Sequence, residues 1–560
     1  MPPLPTLIRA PSTSPCRVSC PTDILSFPKS YPQLVTAAAT LGVFLLSLIV
    51  IFSQLGERDL WSSHEARAAQ NAVAVLRGQW VLPRLFDGRY ELQKPPLYYW
   101  LIAAWCRCTE STVAAFAVRL PAAISALITV LALIIIGYVM GRPVIGIVAA
   151  SFLLTMPHFL WLSHVGRIDL PLTACLTVAL TGKMLSDTLY QRRILSYLSL
   201  LITSLALSLG LLLKGPIILA FYLAIILADS WSDNIARNRS LANLLEDLRK
   251  GFRIANPLSV IICLTCMTPV FLWYMMANEI TEGQWVREFF FRHNFARGFG
   301  GDPQLDRHRH WLGPLFYLAQ LPWSIGPTFL LAVFLGCKSK VLISCDNFLR
   351  LSVCWFMVPL ILLSLMQYKR LDYLAPAYPG FALAAAILVM RYWQDLPEKR
   401  RRAFGLSYLG FLLTAAALWL AYLHTIVPIL DQHRQQRDFA AQVREYIPPG
   451  QSVLMFCTEA HLLSFHLGGS IDRVFQESEL RQRLQGATSL YVIVPKRYYD
   501  KLRKALPDFW VSKIVATNER NVRFSWLKPL LQEGHETLLL LSLTQGPEMS
   551  EENRVEADAI

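Results

Sequence analysis

The chain has 560 residues, of which 54% are apolar and only 16% are charged, and its formal net charge is +14. This composition excludes a disordered chain, a small disulfide-stapled module and an ordinary soluble enzyme, because a soluble domain carries about 25% charged residues. The first 424 residues hold 37 of the 53 basic side chains but only 22 of the 39 acidic ones. The positive charge therefore belongs to the apolar part of the chain, and we expect no nucleic-acid partner.

The Pro-rich residues 1–34 are predicted to form a cytoplasmic tail before an uncleaved membrane anchor, because this lead is too long for a signal peptide. Apolar runs able to cross about 30 Å of hydrocarbon then recur through residues 35–424. The predicted spans are 35–54, 118–140, 143–163, 170–186, 197–213, 215–229, 257–277, 312–336, 350–366, 371–391 and 403–424. The predicted fold class is an α-helical polytopic membrane protein with about 11–13 transmembrane helices.

Loop charge orients the predicted bundle, because Lys and Arg are retained on the cytoplasmic side. Placing residues 1–34 inside puts the basic run 399–402 inside as well, and it makes 55–117 and 278–311 outer loops. Residues 96–106 are apolar but too short for a span, so we expect a re-entrant or interfacial helix there.

Residues 425–545 have the pattern of a soluble α/β domain, which this topology places on the outer face. Strand-like runs at 451–457, 488–494 and 538–543 alternate with amphipathic stretches. The domain has no Gly-rich phosphate loop and no nucleophile elbow, so we assign it no chemistry. The acidic, polar residues 546–560 are predicted to form a disordered tail.

Ionisable residues gather at the outer ends of the predicted spans, in four segments that are far apart in the sequence. These segments are 57–94, 167–169, 292–297 and 369–373. Ionisable groups at membrane depth are costly, so their concentration at one depth is a functional signal. The pattern predicts an active site at the outer membrane interface.

The first of these segments contains a Gly-x-Trp-x-x-Pro turn and then Lys-Pro-Pro before an aromatic helix, formed by Gly78, Trp80, Pro83, Lys94, Pro95, Pro96, Tyr99 and Trp100. Other short motifs follow in order: RLP at 119–121, RIDLP at 167–171, LKGP at 213–216, FFFRHN at 289–294 and KRLDYLAPAYP at 369–379. Over about residues 45–390 the chain resembles the GT-C membrane glycosyltransferases, which include protein O-mannosyltransferases and bacterial lipid A aminoarabinose transferases. Each motif alone is weak, but six in one order are specific.

The resemblance implies an inverting glycosyltransferase that takes its sugar from an undecaprenyl-type polyprenyl-phosphate donor. It implies transfer to a lipid, glycan or protein acceptor on the non-cytoplasmic face of the bacterial inner membrane, among membrane lipids, with the C-terminal domain in the periplasm. A lipid phosphate that leaves as an anion needs cations. The donor-phosphate candidates are Lys94, Arg119, Lys369 and Arg370. The candidates for acceptor or loop contacts are His293, Asn294, Arg297 and Tyr373.

The catalytic candidates are His64, Glu65 and Asp169, because the acceptor oxygen needs a base. The family usually has Asp-Glu where this chain has His64-Glu65. Either His64 is the base, which an ordinary pKa of about 6.5 permits, or the role moves to Glu65 or Asp169. The aminoarabinose group also carries an acid immediately before the Lys-Pro-Pro lysine, where this chain has Gln93. The sequence therefore leaves open whether a divalent metal is a cofactor, and no metal ligands are assigned.

Each candidate has a structural alternative. Ser62 and Glu65 are typical of a capping box, and Asp169 could cap the helix that begins near Pro171. Lys94 could extend its ammonium to the interface from the end of an interfacial helix. The remaining alternatives are interfacial anchoring for Lys369 and Arg370 and an ordinary loop role for His293.

Two other functions compete with the transferase. One is a transporter or flippase of a lipid-linked or small polar substrate, which would place ionisable groups near the bilayer midplane within inverted repeats. The predicted spans are mostly free of charge and show no repeat, which favours the enzyme. The other is a catalytically lapsed relative that binds a lipid-linked sugar, an alternative that the histidine at position 64 keeps open.

Overall fold

The structure is a computed structural model. It describes residues 33–236, 256–300, 312–338, 346–448 and 451–545, apart from short gaps at 190, 452, 459–460, 486, 507–509 and 519–536. The predicted disordered tail at 546–560, most of the predicted cytoplasmic tail and part of the loop 278–311 lie outside the described residues.

The helices of the membrane part are α1 Gln33–Phe52, α2 Ser63–Leu76, α3 Leu97–Cys108, α4 Ala115–Val139, α5 Pro143–Leu153, α6 Pro157–Ser163, α7 Asp169–Thr188, α8 Arg193–Lys214, α9 Ile217–Ala236, α10 Pro257–Ile280, α11 Phe316–Ile325, α12 Pro327–Lys338, α13 Asn347–Leu365, α14 Tyr378–Asp395 and α15 Glu398–Ala421. A π-helix, Arg287–Ala296, follows the single turn Gln284–Val286 and precedes another, Arg297–Phe299. A 3₁₀ helix, Leu371–Ala377, leads directly into α14, and a π-helical turn, Tyr422–Ile426, follows α15.

Eight helical segments in the described part are long and apolar enough to cross a membrane, and each matches a predicted span. Two more predicted spans are helix pairs with sharp bends: α5 and α6 meet at 74°, and the segment Gly313–Ile325 meets α12 at 109°. The eleventh, α7, is 20 residues long but more polar, because it carries Asp169, Lys183 and Asp187. The polytopic helical fold class is confirmed.

Helix α3 has 12 residues and is therefore about 18 Å long, too short to cross 30 Å of hydrocarbon. It packs against α2 and α4 instead. Elsewhere the bundle is held by close helix contacts, one of which is between α4 and α5. A Cβ on Gly146 would lie 2.8 Å from Cα of Gly137, so only glycine permits this approach.

The C-terminal region forms a five-stranded mixed sheet in the order β2-β1-β3-β5-β4. Its strands are β1 Val453–Phe456, β2 Asp472–Val474, β3 Ser489–Pro495, β4 Trp510–Thr517 and β5 Leu538–Gln545. The helices that precede the sheet or connect its strands are α16 Val427–Arg434, α17 Arg437–Tyr446, α18 His461–Leu467, α19 Glu477–Leu484 and α20 Tyr499–Ala505. Strands β1, β2 and β3 are parallel, and β5 is antiparallel to β3 and β4. The sequence predicted β1, β3 and β5 but neither β2 nor β4.

The sheet region docks on the loop that leads into α2. Asp59 accepts from His466 of α18 at 3.0 Å, and the indole of Trp61 donates to Asp431 of α16 at 2.6 Å. Helix α2 also packs directly against α18. This docking fixes the position of α2, whose first turn carries His64.

Candidate active site

A cavity of about 150 Å³ opens where the ends of several helices meet. Its lining residues come from the four ionisable segments or residues next to them, and from a fifth stretch at 214–221: His64, Gln93, Lys94, Arg167, Ile168, Asp169, Leu172, Lys214, Ile217, Phe221, Phe289, His293, Asn294, Gly298, Leu363, Met366, Tyr368, Arg370 and Tyr373. The structure therefore brings together the four ionisable segments that the sequence singled out.

Among the described residues, four cations line this cavity: Lys94, Arg167, Lys214 and Arg370. Arg167 and Lys214 each form an ion pair with Asp169, at 3.1 and 2.7 Å. Lys94 differs, because its ammonium has no hydrogen-bond or ion-pair partner among the residues that the structure describes. Burial and the nearby Arg167 guanidinium lower the pKa of Lys94 to about 7.

Asp372 links the cationic side chains from behind the cavity. Its Oδ2 accepts from Arg167 at 2.6 Å and from Arg370 at 3.3 Å. Its Oδ1 lies 3.3 Å from Nε2 of His158, whose Nδ1 is 2.7 Å from the hydroxyl of Tyr378. One carboxylate thus fixes two guanidinium groups that come from different loops.

His64 faces the cavity and receives a hydrogen bond from Arg370, with 3.0 Å between Nη1 and Nε2. A guanidinium only donates, so Nε2 accepts and a neutral His64 carries its proton on Nδ1. Burial disfavours the imidazolium, and Lys94 and Arg167 add positive charge, so the pKa of His64 lies far below its ordinary value. In this state the ring is neutral.

Glu65, next to His64, points away from the cavity. Its side chain is 1% exposed and pairs with Arg119 at 2.8 Å and Arg58 at 3.4 Å. Burial raises the pKa of Glu65, but the two guanidinium groups outweigh it and bring the value to about 2. The predicted capping contact also forms, because the Glu65 amide donates to the hydroxyl of Ser62 at 3.2 Å.

Known proteins resemble this chain both in sequence and in fold. The family model of dolichyl-phosphate-mannose-protein mannosyltransferases matches residues 93–245. The undecaprenyl phosphate-α-4-amino-4-deoxy-L-arabinose arabinosyl transferase of Pectobacterium carotovorum is 26% identical over 70% of this chain and 68% of its own. A Pseudomonas fluorescens enzyme of that name, numbered 2, is also 26% identical, over 70% of this chain and 66% of its own.

The crystal structure of ArnT from Cupriavidus metallidurans bound to undecaprenyl phosphate superposes with a TM-score of 0.65 at 15% identity. It covers 90% of this chain and 98% of ArnT. The archaeal oligosaccharyltransferase AglB from Archaeoglobus fulgidus gives a TM-score of 0.54 at 12% identity, over 83% of this chain and 70% of AglB. The chain is a membrane glycosyltransferase that resembles the GT-C enzymes in sequence and fold. The resemblance and the enzyme class predicted from the sequence are thereby confirmed.

Two predicted phosphate-binding residues of this glycosyltransferase do not line its cavity. Arg119 is fully buried, and it donates to Glu65 and to the backbone carbonyls of Leu55, Arg58 and Asp59. The Lys369 ammonium donates to the carbonyls of Leu363, Ser364 and Met366 and so caps α13. The structure uses both cations to hold the backbone.

Three of the four predicted loop contacts do line the cavity: His293, Asn294 and Tyr373. The side chain of the fourth, Arg297, lies outside the described part. The π-helix that carries His293 and Asn294 sits against the turn after Lys214, where a Cβ on Gly215 would come within 2.4 Å of the Phe289 ring. Lys214 also lies 4.0 Å from the ring centre of Tyr373, within cation–π range.

Sequence reasoning did not name Arg167, Lys214 or Asp372 as site residues, although the first two line the cavity and Asp372 pairs with Arg167 and Arg370. Each stands inside a motif that the sequence had singled out, respectively RIDLP, LKGP and KRLDY. The motifs therefore contained a signal, but only the fold shows which of their charges face the cavity. Among the described residues, no group of three or more His, Cys, Asp or Glu side chains is placed to hold a metal ion.

Apolar surface adjoins the charged end of the cavity on two sides. Leu172, Ile217, Phe221, Leu363 and Met366 form part of the cavity wall itself. A second, almost purely apolar space of about 510 Å³ lies between α3, α4, α7 and α8. The beginning of α7 and the end of α8 contribute to both spaces. The arrangement can hold an anion beside a hydrocarbon chain.

Proposed function

We propose that this glycosyltransferase takes its sugar from a polyprenyl-phosphate donor, of the undecaprenyl type, and transfers it with inversion to a lipid, glycan or protein acceptor on the non-cytoplasmic face. One observation carries the proposal. The ammonium of Lys94, which has no hydrogen-bond or ion-pair partner among the described residues, lies beside Arg167, Lys214 and Arg370 in a cavity that also has an apolar wall. Such a site fits the phosphate of a lipid.

The charge of the cavity suits the leaving group better than the intact donor. Within the described part of the chain, the four cations are opposed by two carboxylates, Asp169 and Asp372. A sugar phosphodiester carries one negative charge, whereas the polyprenyl phosphate that leaves develops a second. Cations placed where charge develops stabilise the transition state more than the ground state, and that difference accelerates the reaction.

The likeness to relatives supports the choice of donor. Arabinosyl transferases named for an undecaprenyl-phosphate-linked sugar align with about 70% of this chain. An undecaprenyl-phosphate complex is known for ArnT, whose fold this chain shares. The apolar wall from Leu172 to Met366 gives the first isoprene units of such a donor a dry surface.

His64 is the base in this proposal. Its Nε2 lone pair is occupied by Arg370 in the structure, 3.0 Å away. When Arg370 turns to the donor phosphate, Nε2 becomes free, and the phosphate charge offsets the cations that keep the imidazole neutral. The acceptor oxygen then bonds to the anomeric carbon and its proton passes to Nε2. The bond from that carbon to the phosphate oxygen breaks, and its electron pair leaves with the phosphate.

Asp169 is a positioning residue in this scheme. Its two oxygens hold Lys214 and Arg167 at 2.7 and 3.1 Å, and these two ion pairs oppose its protonation as a base. Glu65 has a structural role, because Arg119 and Arg58 occupy its carboxylate. The proposal thus narrows three catalytic candidates to one.

The topology is also part of the proposal. We place the multi-pass chain in the bacterial inner membrane, with the N-terminus in the cytoplasm and the sheet region in the periplasm. The support is the loop-charge bias, which puts the Lys399–Arg402 run on the side opposite the cavity loops. Cysteine labelling of intact cells at Gln79→Cys, in the loop before α3, tests this orientation: an impermeant reagent should react.

The deciding experiment supplies purified protein in nanodiscs with a radiolabelled polyprenyl-phosphate sugar and lipid, glycan and peptide acceptors. We expect label to move to one acceptor class, with Lys94→Ala losing transfer at least 100-fold. Lys183→Ala, at the far end of α7, is the matched control and should retain wild-type activity. Donor binding without turnover would favour a lapsed enzyme, and movement of intact donor across the bilayer would favour a flippase.

A further inference from the structure

On the basis of the function proposed above, the net charge around the cavity affects which donor sugar can bind, as well as how the phosphate binds. Asp169 is the one carboxylate that lines the cavity among the described residues, and both of its oxygens are occupied by cations. Asp372, behind it, holds Arg167, Arg370 and His158. The negative charge of each acid is therefore already compensated by neighbouring cations.

The acidic side chains of the neighbouring loop are occupied in the same way. Glu91 is buried, and its Oε2 accepts from the Arg67 guanidinium at 2.8 Å and from the Asn71 side-chain amide at 3.1 Å. Glu65 is held by Arg119 and Arg58, away from the cavity. The loop therefore presents no uncompensated negative charge to the cavity within the described residues.

Two cavity-lining side chains of this loop, His64 and Gln93, are neutral. Gln93 accepts from Arg67 through Oε1 at 3.0 Å, and His64 accepts from Arg370. A carboxylate at either position would lower the positive charge of the cavity by one. With an amide and a neutral imidazole instead, the field at the cavity remains positive beyond what a phosphodiester cancels.

A protonated amine on the donor sugar would enter this field without an anionic partner. Like charges a few ångströms apart in a partly buried site repel strongly, and an unpaired buried ammonium loses its hydration as well. A hydroxyl group at the same carbon is neutral, so it is neither repelled by the cations nor stripped of the hydration of a charge. Hydroxyl groups find polar partners among the lining residues Gln93, Asn294, Tyr368 and Tyr373.

We infer that the donor sugar of this enzyme carries no cationic amine, and that the cavity selects against amino sugars through its uncompensated positive charge. This separates the chain from the relatives it resembles, which are named for 4-amino-4-deoxy-L-arabinose. The substrate class is a polyprenyl-phosphate sugar whose polar groups are hydroxyls or other groups without positive charge.

The test uses two synthetic donors with the same polyprenyl chain and the same pentose stereochemistry. They differ only in a hydroxyl or an amine at carbon 4. With the full-length protein in nanodiscs at pH 6.5, we expect kcat/KM for the hydroxyl donor to exceed that for the amine donor at least tenfold. The difference should shrink as the pH rises and the amine loses its proton.

Equal use of the two donors, or preference for the amine, would overturn the inference while leaving the proposed function intact. Turnover of neither donor, nor of hexose donors without an amine, would overturn the proposed function and this inference with it. The donors need no variant protein, so the comparison does not depend on whether a substituted chain folds.

A variant tests the cause of the selection. Gln93→Glu adds a carboxylate at the cavity and should raise the amine-to-hydroxyl ratio of kcat/KM at least fivefold. Gln79→Glu is the matched control, because Gln79 is exposed on the same loop and does not line the cavity. A ratio that is the same in both variants and in the wild type would show that cavity charge does not determine sugar choice.

Discussion

The guanidinium of Arg370 donates to Nε2 of His64 at 3.0 Å, across 306 positions of sequence. This contact occupies the one lone pair with which a neutral imidazole could accept a proton. It also joins the first turn of α2 to the residue before the 3₁₀ helix Leu371–Ala377. The contact therefore couples the proposed base to a group that the donor phosphate attracts.

Replacing His64 by glutamine should remove the base and keep the hydrogen bond from Arg370, because the glutamine oxygen accepts. We expect kcat to fall about 100-fold or more, a typical effect of losing a general base, while the donor KM changes less than threefold. His64→Asp should retain more activity than His64→Gln, since a carboxylate can accept a proton. Steady-state kinetics at saturating acceptor measure both, and a glutamine variant with wild-type kcat would exclude His64 as the base.

Lys94 gives the enzyme a pH dependence of defined sign. With a pKa lowered to about 7, Lys94 is mostly cationic below that pH and mostly neutral above it. A phosphodiester donor keeps one negative charge throughout this range, so its Kd should rise about tenfold between pH 6 and pH 8. Lys94→Arg should flatten the profile, because a guanidinium stays protonated. Equilibrium binding of donor at several pH values is the measurement, and a flat wild-type profile would contradict the role of Lys94.

Asp372 is expected to act through the two arginines that it positions. Asp372→Asn should weaken donor binding about tenfold, because Arg167 and Arg370 lose the anion that holds them toward the cavity. Asp346→Asn is a close control: Asp346 also holds two arginines, Arg142 and Arg391, each at 2.8 Å. It lies at the opposite end of α13 from the cavity residue Leu363.

The two variants separate a positioning role from a structural one. If Asp372 only stabilises the fold, both substitutions should lower the thermal unfolding midpoint and leave donor Kd unchanged. If it positions the arginines, only Asp372→Asn should change donor Kd. Isothermal titration with donor, beside thermal unfolding in detergent, measures the two quantities.

Glu65 should matter for stability more than for chemistry. Glu65→Gln leaves Arg119, which is fully buried, without its charge partner, and breaking a buried pair typically costs about 3–5 kcal/mol. Glu398→Gln breaks an exposed pair with Arg402 and should change the midpoint little, since such pairs contribute about 0–1 kcal/mol. Glu65→Gln protein that unfolds at the wild-type temperature but has lost transfer would instead indicate a catalytic Glu65.

The sequence predicted the membrane helices well because hydrophobicity is a local property of consecutive residues. Each of the eight long apolar helices and both bent pairs coincide with a predicted span. The short strand β2 was not predicted, because three residues at the edge of a sheet are too few to show an alternation of apolar and polar residues. Strand β4 was missed because Lys513 and Ser512 interrupt its apolar run.

By itself, the sequence determined the polytopic helical fold, the enzyme class and the segments from which the cavity is built, because these depend on hydrophobic runs and short motifs. Only the tertiary structure decided which charged side chains face the cavity. Arg119 and Lys94 look alike as lone cations near motifs, yet Arg119 is neutralised by Glu65, 54 residues away, while Lys94 faces the cavity without a partner in the described part of the chain. Charge pairing between distant residues arises only when the chain folds, and it determines which cations remain available to a ligand.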